Sequence, residues 1–378
     1  MRTRAAVLHE LGAEQPYTRS RPLAVEELEL TDPGPGELLV RIEVAGVCHS
    51  DLSVVDGNRP RPVPMALGHE AAGVVEAVGP GTTGIDVGDH VVLTFVPACG
   101  VCGPCNAGTP ALCRPAATAN TAGHLLAGGS RLHRGDGEVV HHHLGVSAFA
   151  THAVVARGSA VRIDPDLPLE VAALVGCGVL TGVGAVVHTA GVRPGDGVAV
   201  FGLGGVGLSA VLGAGLVTAD PVVAVDPVAS KRELALELGA THAVGPEEAG
   251  ALIAEVTGGL GVTHTFECVG SARVLEAAYD ATAPGGTTVA VGLPHPSQVA
   301  ELPAVSIVGQ ARTVRGSYLG SAAPQRDVPM LLRLWRAGRL PLERLQSARL
   351  DLDQVNDAMD ALAGGQVVRQ LLLPQHLG

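Results

Sequence analysis

The glycine-rich stretch VAVFGLGGVG, residues 198–207, limits what this chain can fold into more than any other feature. A short apolar run, VAVF, leads directly into Gly202, Gly204 and Gly207, which form a G-x-G-x-x-G pattern. The residues that follow, LSAVLGAGLV, have the composition of a helix, and a second apolar run, PVVAVD, ends in Asp226. A strand, a glycine turn, a helix and a second strand in this order predict a βαβ unit that binds a dinucleotide.

The residues around this turn indicate which dinucleotide to expect. The turn continues through Gly205 and Val206 into the helix, whose N-terminus offers backbone donors to a pyrophosphate. Asp226 ends the second strand, where a carboxylate accepts hydrogen bonds from both ribose hydroxyls and repels a 2′-phosphate. We therefore expect NAD and not NADP. Lys231, the only lysine, is either a solvated helix residue or a second ribose contact.

The stretch PACGVCGPCNAGTPALC, residues 97–113, holds four of the seven cysteines of the chain. Cysteines two residues apart can turn successive thiolates toward one ion, and zinc prefers four such ligands in a tetrahedron. Free thiols or a redox C-x-x-C pair are the alternative, but a redox pair does not need four sulfurs. The spacing predicts a structural zinc on Cys99, Cys102, Cys105 and Cys113.

Residue chemistry alone leaves undecided whether the chain has a second metal site. Cys48, His69 and Cys177 offer two thiolates and an imidazole, which is a ligand set for a catalytic zinc with one free position. Their wide separation in the sequence does not show that they meet, and small buried cysteines with a core histidine are the alternative. Cys268, between apolar neighbours, is interpreted as a core thiol.

The pattern of apolar runs changes along the chain. Up to residue 178, short Val-rich runs alternate with Gly and Pro turns, as in an all-β domain. Residues 179–320 alternate helix-like and strand-like segments, which predicts a doubly wound parallel sheet. The tail holds two amphipathic helices and a final strand, so we expect it to return to the first domain. The predicted class is α/β, with residues 1–178 and 321–378 in one domain and 179–320 in the other.

Composition excludes several partners. The net charge of −12 argues against a nucleic-acid groove and against an anionic membrane surface. We expect no apolar run to cross a membrane, and the first residues, MRTRAAVLHELG, lack the features of a secretory signal. A cytoplasmic protein with a small-molecule substrate is the expectation, and clustered cysteines fit metal binding better than disulfides there.

Several motifs in this order resemble the zinc-dependent medium-chain alcohol dehydrogenases: GVCHSDL, GHEAAGVVEAVG, the cysteine loop, VGCGVLTG and VFGLGGVGLSAV. The likeness covers nearly the whole chain and is nearest to the dimeric branch of liver-type and class III enzymes. It implies a GroES-like catalytic domain, a Rossmann domain, two zinc ions per chain, NAD and a homodimer. The edge strand near TVRGSYLG is the expected dimer contact.

The resemblance also implies residue roles. Cys48, His69 and Cys177 hold the catalytic zinc, Asp51 orients the ring of His69, and Glu70 is an acid close to the metal. The other implied roles are the proton acceptor Ser50, the cofactor contacts His49, Thr181, Val206, Lys231 and Arg369, and the pocket residues Phe95 and His143.

Two departures keep the substrate open. Ser53 stands where liver-type enzymes complete a proton relay with histidine, and RPAATAN lacks the suitably placed arginine with which class III enzymes bind a thiol adduct. We expect a primary alcohol of medium size, including aromatic ones, and its aldehyde. A polyol dehydrogenase, a thiol-adduct formaldehyde dehydrogenase and a non-catalytic NAD-binding zinc protein are the alternatives.

Overall fold

The computed structural model describes residues 1–376, and the chain divides into two compact units. The first comprises Met1–Cys177, Ala323–Arg333 and the described residues from Leu342 on. The second comprises Gly178–Ala322 and Leu334–Pro341. The division thus falls beside the boundary expected at 178, but Leu334–Pro341 belongs to the second unit, although it was expected in the first.

The first unit is built on two sheets rich in buried Val, Leu and Ala. A closed barrel has the strand order Arg2–Leu8, Leu23–Leu30, Leu132–His133, Val139–His142 and Met65–Ala66. The second sheet has the order Ala160–Ile163, His90–Leu93, Ala71–Val78, Glu37–Val47, Arg369–Leu373 and Gln346–Asp351, and His152–Ala156 also pairs with Glu37–Val47. The C-terminal strand pairs antiparallel with Glu37–Val47, so the tail returns to this sheet.

Short helices connect these strands and carry several of the candidate residues. They are Tyr17–Ser20, His49–Val55, Gly103–Asn106, Arg114–Ala122, Leu169–Leu174 and Val355–Ala363, with 3₁₀ turns at Pro110–Leu112, Arg157–Ser159, Leu342–Leu345 and Leu352–Gln354. The helix Val355–Ala363 buries Val355, Ala358 and Met359 in the same apolar cluster as Leu38, Val40 and Ile42.

The second unit is a parallel sheet with helical crossovers. Its strand order is His242–Val244, Val222–Val225, Val198–Phe201, Val262–Glu267, Thr282–Ala290 and Thr313–Gly316. The runs VAVF and VVAV are fully buried, as expected of central parallel strands. The helices of this unit are Leu180–Gly184, Gly205–Leu216, Ala229–Glu237, Ala249–Val256, Ala272–Asp280 and Ala304–Gly309, with a 3₁₀ turn at Leu319–Ser321. The predicted α/β class is confirmed.

One helical stretch is long and mostly apolar. Leu169–Ala190 is 22 residues long and apolar enough to cross a membrane by length and composition, because helical structure continues through its Gly, Thr and Cys residues. However, 83% of its apolar window is buried inside the protein, which is also a property of a core helix. Two π-helical segments, Val175–Val179 and Ala185–Ala190, interrupt its α-helical geometry.

Candidate functional site

Cys48, His69 and Cys177 converge within the first unit. One ligand atom from each, together with a carboxylate oxygen of Glu70, lies within 4.8 Å of the other three. All three predicted ligands are buried. The structure therefore brings together three residues whose separation in the sequence did not show whether they are close in space.

Local structure explains how each ligand is presented. Cys48 is the N-cap of the helix His49–Val55, so its side chain lies at the positive end of that helix. Cys177 lies in the π-helical segment Val175–Val179, and such segments are frequent at functional sites because they alter which way a side chain points. His69 follows the short strand Met65–Ala66 and precedes the strand Ala71–Val78.

Asp51 contacts the imidazole of His69, the ring that the resemblance implies it orients. Its Oδ1 lies 3.0 Å from Nδ1 of His69, and its Oδ2 accepts the backbone N–H of Cys48 at 3.1 Å. Burial acts to raise the pKa of Asp51, but the adjacent imidazoles of His69 and His143 hold it below its usual range. A carboxylate that stays ionised fixes the Nδ1–H tautomer of His69, which leaves Nε2 as the ligand atom.

The cluster has the donor chemistry of a zinc site. Nε2 of His69 is buried and has no hydrogen-bond partner in the described part of the chain, as a metal-ligating nitrogen should be. A hydrogen bond with Cys177 holds the pKa of the Cys48 thiol well below its usual value, and the same bond raises the pKa of Cys177. A divalent cation that binds both sulfurs would displace the proton that they share.

Glu70 and Arg369 form a buried ion pair beside these ligands. Nη2 of Arg369 donates to Oε1 of Glu70, and both side chains are almost inaccessible to solvent. Burial raises the pKa of Glu70, while the charge of Arg369 opposes that rise. Gly46 makes room for the pair, since a Cβ there would lie 2.8 Å from Cδ of Glu70 and 2.9 Å from Nη2 of Arg369.

The predicted pocket residues both contact the ring of His69. The Phe95 ring meets it edge-on at a centroid distance of 5.7 Å, and the ring of His143 meets it at 5.5 Å. Ser50, the predicted proton acceptor, is half-buried in the first turn of the helix His49–Val55, and His49 is exposed beside it. The Ser53 hydroxyl donates to the carbonyl of His49 at 2.9 Å, and a carbonyl cannot carry a proton onward.

The four clustered cysteines also meet. The sulfur atoms of Cys99, Cys102, Cys105 and Cys113 all lie within 4.8 Å of one another. The backbone N–H of Cys99 donates to Sγ of Cys113 at 3.3 Å. A hydrogen bond from the Cys105 backbone lowers the pKa of Cys102 to about 6, which favours the thiolate that a metal requires. Four sulfurs at this separation fit a closed tetrahedral zinc site.

In the second unit, the glycine-rich turn has the shape that its spacing predicted. Gly202 has φ 90°, and a Cβ at Gly207 would lie 1.7 Å from the carbonyl oxygen of Gly202, so the turn closes only around glycine. A Cβ at Gly204 would meet no atom within 4 Å. Gly204 is the N-cap of the helix Gly205–Leu216, so open space lies before a helix N-terminus. This arrangement fits a pyrophosphate.

Asp226 braces this turn from the end of the second strand. Its Oδ2 accepts the N–H of Leu203 at 2.7 Å, and its Oδ1 accepts the N–H of Val228 at 2.8 Å. Lys231 is half-buried in the helix Ala229–Glu237.

The segment with Thr181 lies against the same turn. Thr181 is buried in Leu180–Gly184, and a Cβ at Gly182 would lie 2.3 Å from the carbonyl oxygen of Val206. The structure therefore brings the predicted residues Thr181 and Val206 into one neighbourhood.

Comparisons with known proteins agree with this geometry. The profile of the alcohol dehydrogenase GroES-like domain matches residues 34–165, and that of the zinc-binding dehydrogenase family matches residues 205–336. The chain is 42% identical over 377 residues to the NDMA-dependent alcohol dehydrogenase of Amycolatopsis methanolica, with 99% of each chain covered. It is also 42% identical over 373 residues to the geraniol dehydrogenase of Castellaniella defragrans, covering 98% of this chain and 97% of that protein. The chain belongs to the zinc-dependent medium-chain alcohol dehydrogenases.

A solved structure supports the same membership. The benzyl alcohol dehydrogenase of Acinetobacter calcoaceticus superimposes with a TM-score of 0.91 at 34% identity, with 99% of each chain covered. This alcohol dehydrogenase is thus a zinc-binding oxidoreductase with a GroES-like unit and a Rossmann-type sheet. Its place in the dimeric liver-type or class III branch stays a prediction.

Sequence reasoning missed two residues that shape these sites in the dehydrogenase. Nη1 of Arg232 donates to the carbonyl oxygens of Asp226 at 2.7 Å and Pro227 at 2.9 Å, which fixes the backbone at the acidic strand end. The buried Asn120 donates its Nδ2 to the carbonyl of Phe95 at 2.8 Å and so holds one pocket residue in place. The only available signal for Arg232 was its position next to Lys231.

Proposed function

We propose that this dehydrogenase oxidises primary alcohols of medium size, including aromatic ones, to their aldehydes with NAD as hydride acceptor, and that it catalyses the reverse reaction. The observation that carries the proposal is the buried cluster of Cys48, His69 and Cys177, in which Nε2 of His69 has no partner among the described residues. A zinc ion held by these three residues would keep one position for the substrate.

The residues of the first unit have defined tasks in this reaction. Zinc, when bound, supplies a Lewis acid that favours loss of the alcohol proton and polarises the aldehyde carbonyl. Cys48, His69 and Cys177 would hold the ion, and Asp51 would keep the ring of His69 in the ligating orientation. Ser50, half-buried beside Cys48, would accept the alcohol proton. Ser53 would not continue the relay, since its hydroxyl donates to a backbone carbonyl, so the proton leaves through water or by way of His49.

The preference for NAD follows from Asp226. Its buried carboxylate sits at the end of the second parallel strand, beside the open space at Gly204. A 2′-phosphate on the ribose would face this negative charge, whereas ribose hydroxyls could donate to it. Lys231, Thr181 and Val206, the other predicted cofactor contacts of the second unit, would add to this binding. His49 and Arg369, in the first unit, stay predicted contacts.

The substrate class is supported by chemistry at the ring of His69. Phe95 presents an aromatic edge there, which suits an apolar or aromatic carbon chain. Two similar proteins are named for geraniol and benzyl alcohol, which are both primary alcohols with an unsaturated carbon beside the reacting one. We expect this chain to prefer alcohols of that kind over ethanol.

A substrate screen with metal analysis tests the proposal. Benzylic, allylic, short aliphatic and polyhydroxy alcohols and a glutathione-bound formaldehyde adduct are each offered with NAD or NADP. Each set is repeated with NDMA, because one similar protein is named for dependence on it. We expect the highest kcat/KM with benzylic or allylic alcohols and NAD. Highest activity on polyols or on the thiol adduct would refute the proposed substrate class.

Zinc content tests the metal sites separately. We expect two zinc ions per chain in the wild type and one in Cys48→Ala, with loss of turnover. A wild-type protein that holds one zinc, and whose function survives Cys48→Ala, would support a non-catalytic NAD-binding protein.

We also propose that the enzyme is a homodimer through its edge strand Thr313–Gly316. All four residues of this strand are exposed, and it pairs on one side with Thr282–Ala290. The segment that precedes this strand in the sequence also exposes apolar residues, namely Val299, Val305 and Val308. A second copy of the strand would satisfy the free backbone groups and cover these side chains. Light scattering should give twice the chain mass, and Val305→Asp should lower it; a monomeric wild type would contradict the proposal.

A further inference from the structure

We propose that His143 is a positioning residue for the metal ligand His69, because both imidazoles share one carboxylate oxygen of Asp51. This inference rests on the proposed function, since it assigns His143 a part in holding the catalytic zinc. His143 would thus join Asp51 and His69 in one group of contacting side chains, in addition to its predicted place in the substrate pocket.

The geometry around Asp51 carries the inference. Nδ1 of His143 lies 3.1 Å from Oδ1 of Asp51, and Nδ1 of His69 lies 3.0 Å from the same oxygen. Asp51 is 0% exposed and His143 is 1% exposed, so water does not compete for this oxygen. Nδ1 of His143 lies at hydrogen-bond distance from this oxygen, but the angles are not those of a hydrogen bond. The two rings cross at 87° with their centroids 5.5 Å apart.

The backbone around His143 is built to deliver its ring to this point. His143 follows the strand Val139–His142 and opens a turn in which Leu144 has φ 50° and Ser147 has φ 54°. A positive φ is unfavourable for both residue types and persists only where surrounding contacts enforce it. The N–H of His143 donates to Oγ of Ser147 at 2.9 Å, and the carbonyl of His143 accepts the N–H of Val146 at 3.1 Å. These hydrogen bonds and backbone angles fix the conformation of the turn from His143 to Ser147.

A cation held by Asp51, His69 and His143 does not explain the arrangement. The ligand atoms of these residues are close enough for a metal. However, Asp51 already accepts the backbone N–H of Cys48 at Oδ2 and that of Gly68 at Oδ1, at 3.1 Å and 3.2 Å. Those donors crowd a cation away from the carboxylate. Because a carboxylate only accepts, both imidazoles must present N–H to it, which makes His143 a donor.

His143 would act on the metal through the orientation of Asp51. Nδ1 of His143 is one of several groups that surround Oδ1, together with the N–H of Gly68 and Nδ1 of His69. Without it, one of the contacts that hold the carboxylate is lost, and we expect the ring of His69 to be less firmly held. Residues that orient metal ligands typically change metal affinity by about 10–100-fold when they are removed. His143 acts one contact further out, so we expect a roughly fivefold to tenfold effect.

Zinc release to EDTA tests this without relying on turnover. The wild type is expected to lose its two zinc ions in two phases, and Cys48→Ala identifies the catalytic one. His143→Phe keeps a ring of similar size but no N–H, and should speed the catalytic phase about fivefold to tenfold. His143→Asn keeps a donor near the position of Nδ1 and should restore release toward the wild-type rate. His141→Phe is the matched control, because its ring stacks on His124 and not on Asp51.

The outcomes are distinct. The inference holds if His143→Phe speeds only the catalytic phase, His143→Asn restores it and His141→Phe leaves it unchanged. It also predicts that His143→Phe adds little further effect in an Asp51→Asn background. Unchanged release in His143→Phe, or equal acceleration in His141→Phe, overturns it. If His143→Phe does not fold, His143→Leu provides the same comparison. A wild type with only the structural zinc would instead refute the proposed function.

Discussion

Gly204→Ala should separate cofactor binding from folding. The backbone at Gly204, with φ −74° and ψ −171°, allows an alanine, and the new Cβ would meet no atom within 4 Å. Without cofactor, the variant should unfold at the wild-type temperature. The methyl group would occupy the space before the helix Gly205–Leu216, where we propose the pyrophosphate. We expect the Kd for NADH to rise at least tenfold, which corresponds to about 1.4 kcal/mol.

Gly207→Ala should behave differently because its Cβ collides with the protein itself. The Cβ would lie 1.7 Å from the carbonyl oxygen of Gly202, whereas real contacts essentially never fall below 3.0 Å. The turn must therefore open by at least 3.0 − 1.7 = 1.3 Å. Such overpacking costs about 1–3 kcal/mol, so both the unfolding temperature and NADH affinity should fall.

Two measurements on three variants separate an effect on cofactor binding from an effect on folding. Thermal unfolding without cofactor reports the fold, and the fluorescence of NADH on titration reports its binding. Gly250→Ala is the control, since it lies in the helix Ala249–Val256 with no atom within 4 Å of its Cβ. If Gly204→Ala binds NADH as tightly as the wild type, the pyrophosphate does not approach this glycine. If Gly207→Ala unfolds at the wild-type temperature, the close contact is not present in solution.

Three further predictions concern single side chains. Ser50→Ala should lower kcat by about 10²–10⁴-fold with both zinc ions retained, and a smaller drop would argue against Ser50 as proton acceptor. Arg369→Met leaves Glu70 buried without its cation and should lower the free energy of unfolding by about 3–5 kcal/mol. The unfolding temperature should therefore fall, and adding Glu70→Gln should largely restore it. Asp226→Asn keeps an acceptor for the N–H of Leu203 but loses the negative charge. The ratio of kcat/KM with NAD to kcat/KM with NADP should therefore fall roughly tenfold. An unchanged ratio would contradict the proposed role of Asp226.

The fold was predictable where local pattern and topology agree. The G-x-G-x-x-G turn between two buried Val-rich strands allows few structures, and the parallel sheet with Val198–Phe201 at its centre is confirmed. The four close cysteines were equally informative, because short spacing restricts where their sulfurs can point. The predicted catalytic ligands were different, because only the family resemblance joined residues as distant as Cys48 and Cys177 before the structure did.

Contacts between distant segments were not predictable from pattern. The pair of Glu70 and Arg369 joins residues 299 positions apart, and it depends on the antiparallel register of Arg369–Leu373 with Glu37–Val47. The contact of His143 with Asp51 depends on a turn whose positive φ angles fall on Leu144 and Ser147, which no propensity would assign to them.

The ion pair changes how the predicted phosphate contact of Arg369 has to be tested. Arg369 is buried against Glu70, beside two thiols and an imidazole that would hold a divalent cation. Removing Arg369 alone leaves a buried carboxylate without a counter-charge, so weaker cofactor binding in that variant would report a disturbed metal centre as readily as a lost phosphate contact. The informative comparison is Glu70→Gln against the double variant Glu70→Gln with Arg369→Met. Both lack the carboxylate, and NADH affinity should fall only in the second if Arg369 also contacts a phosphate.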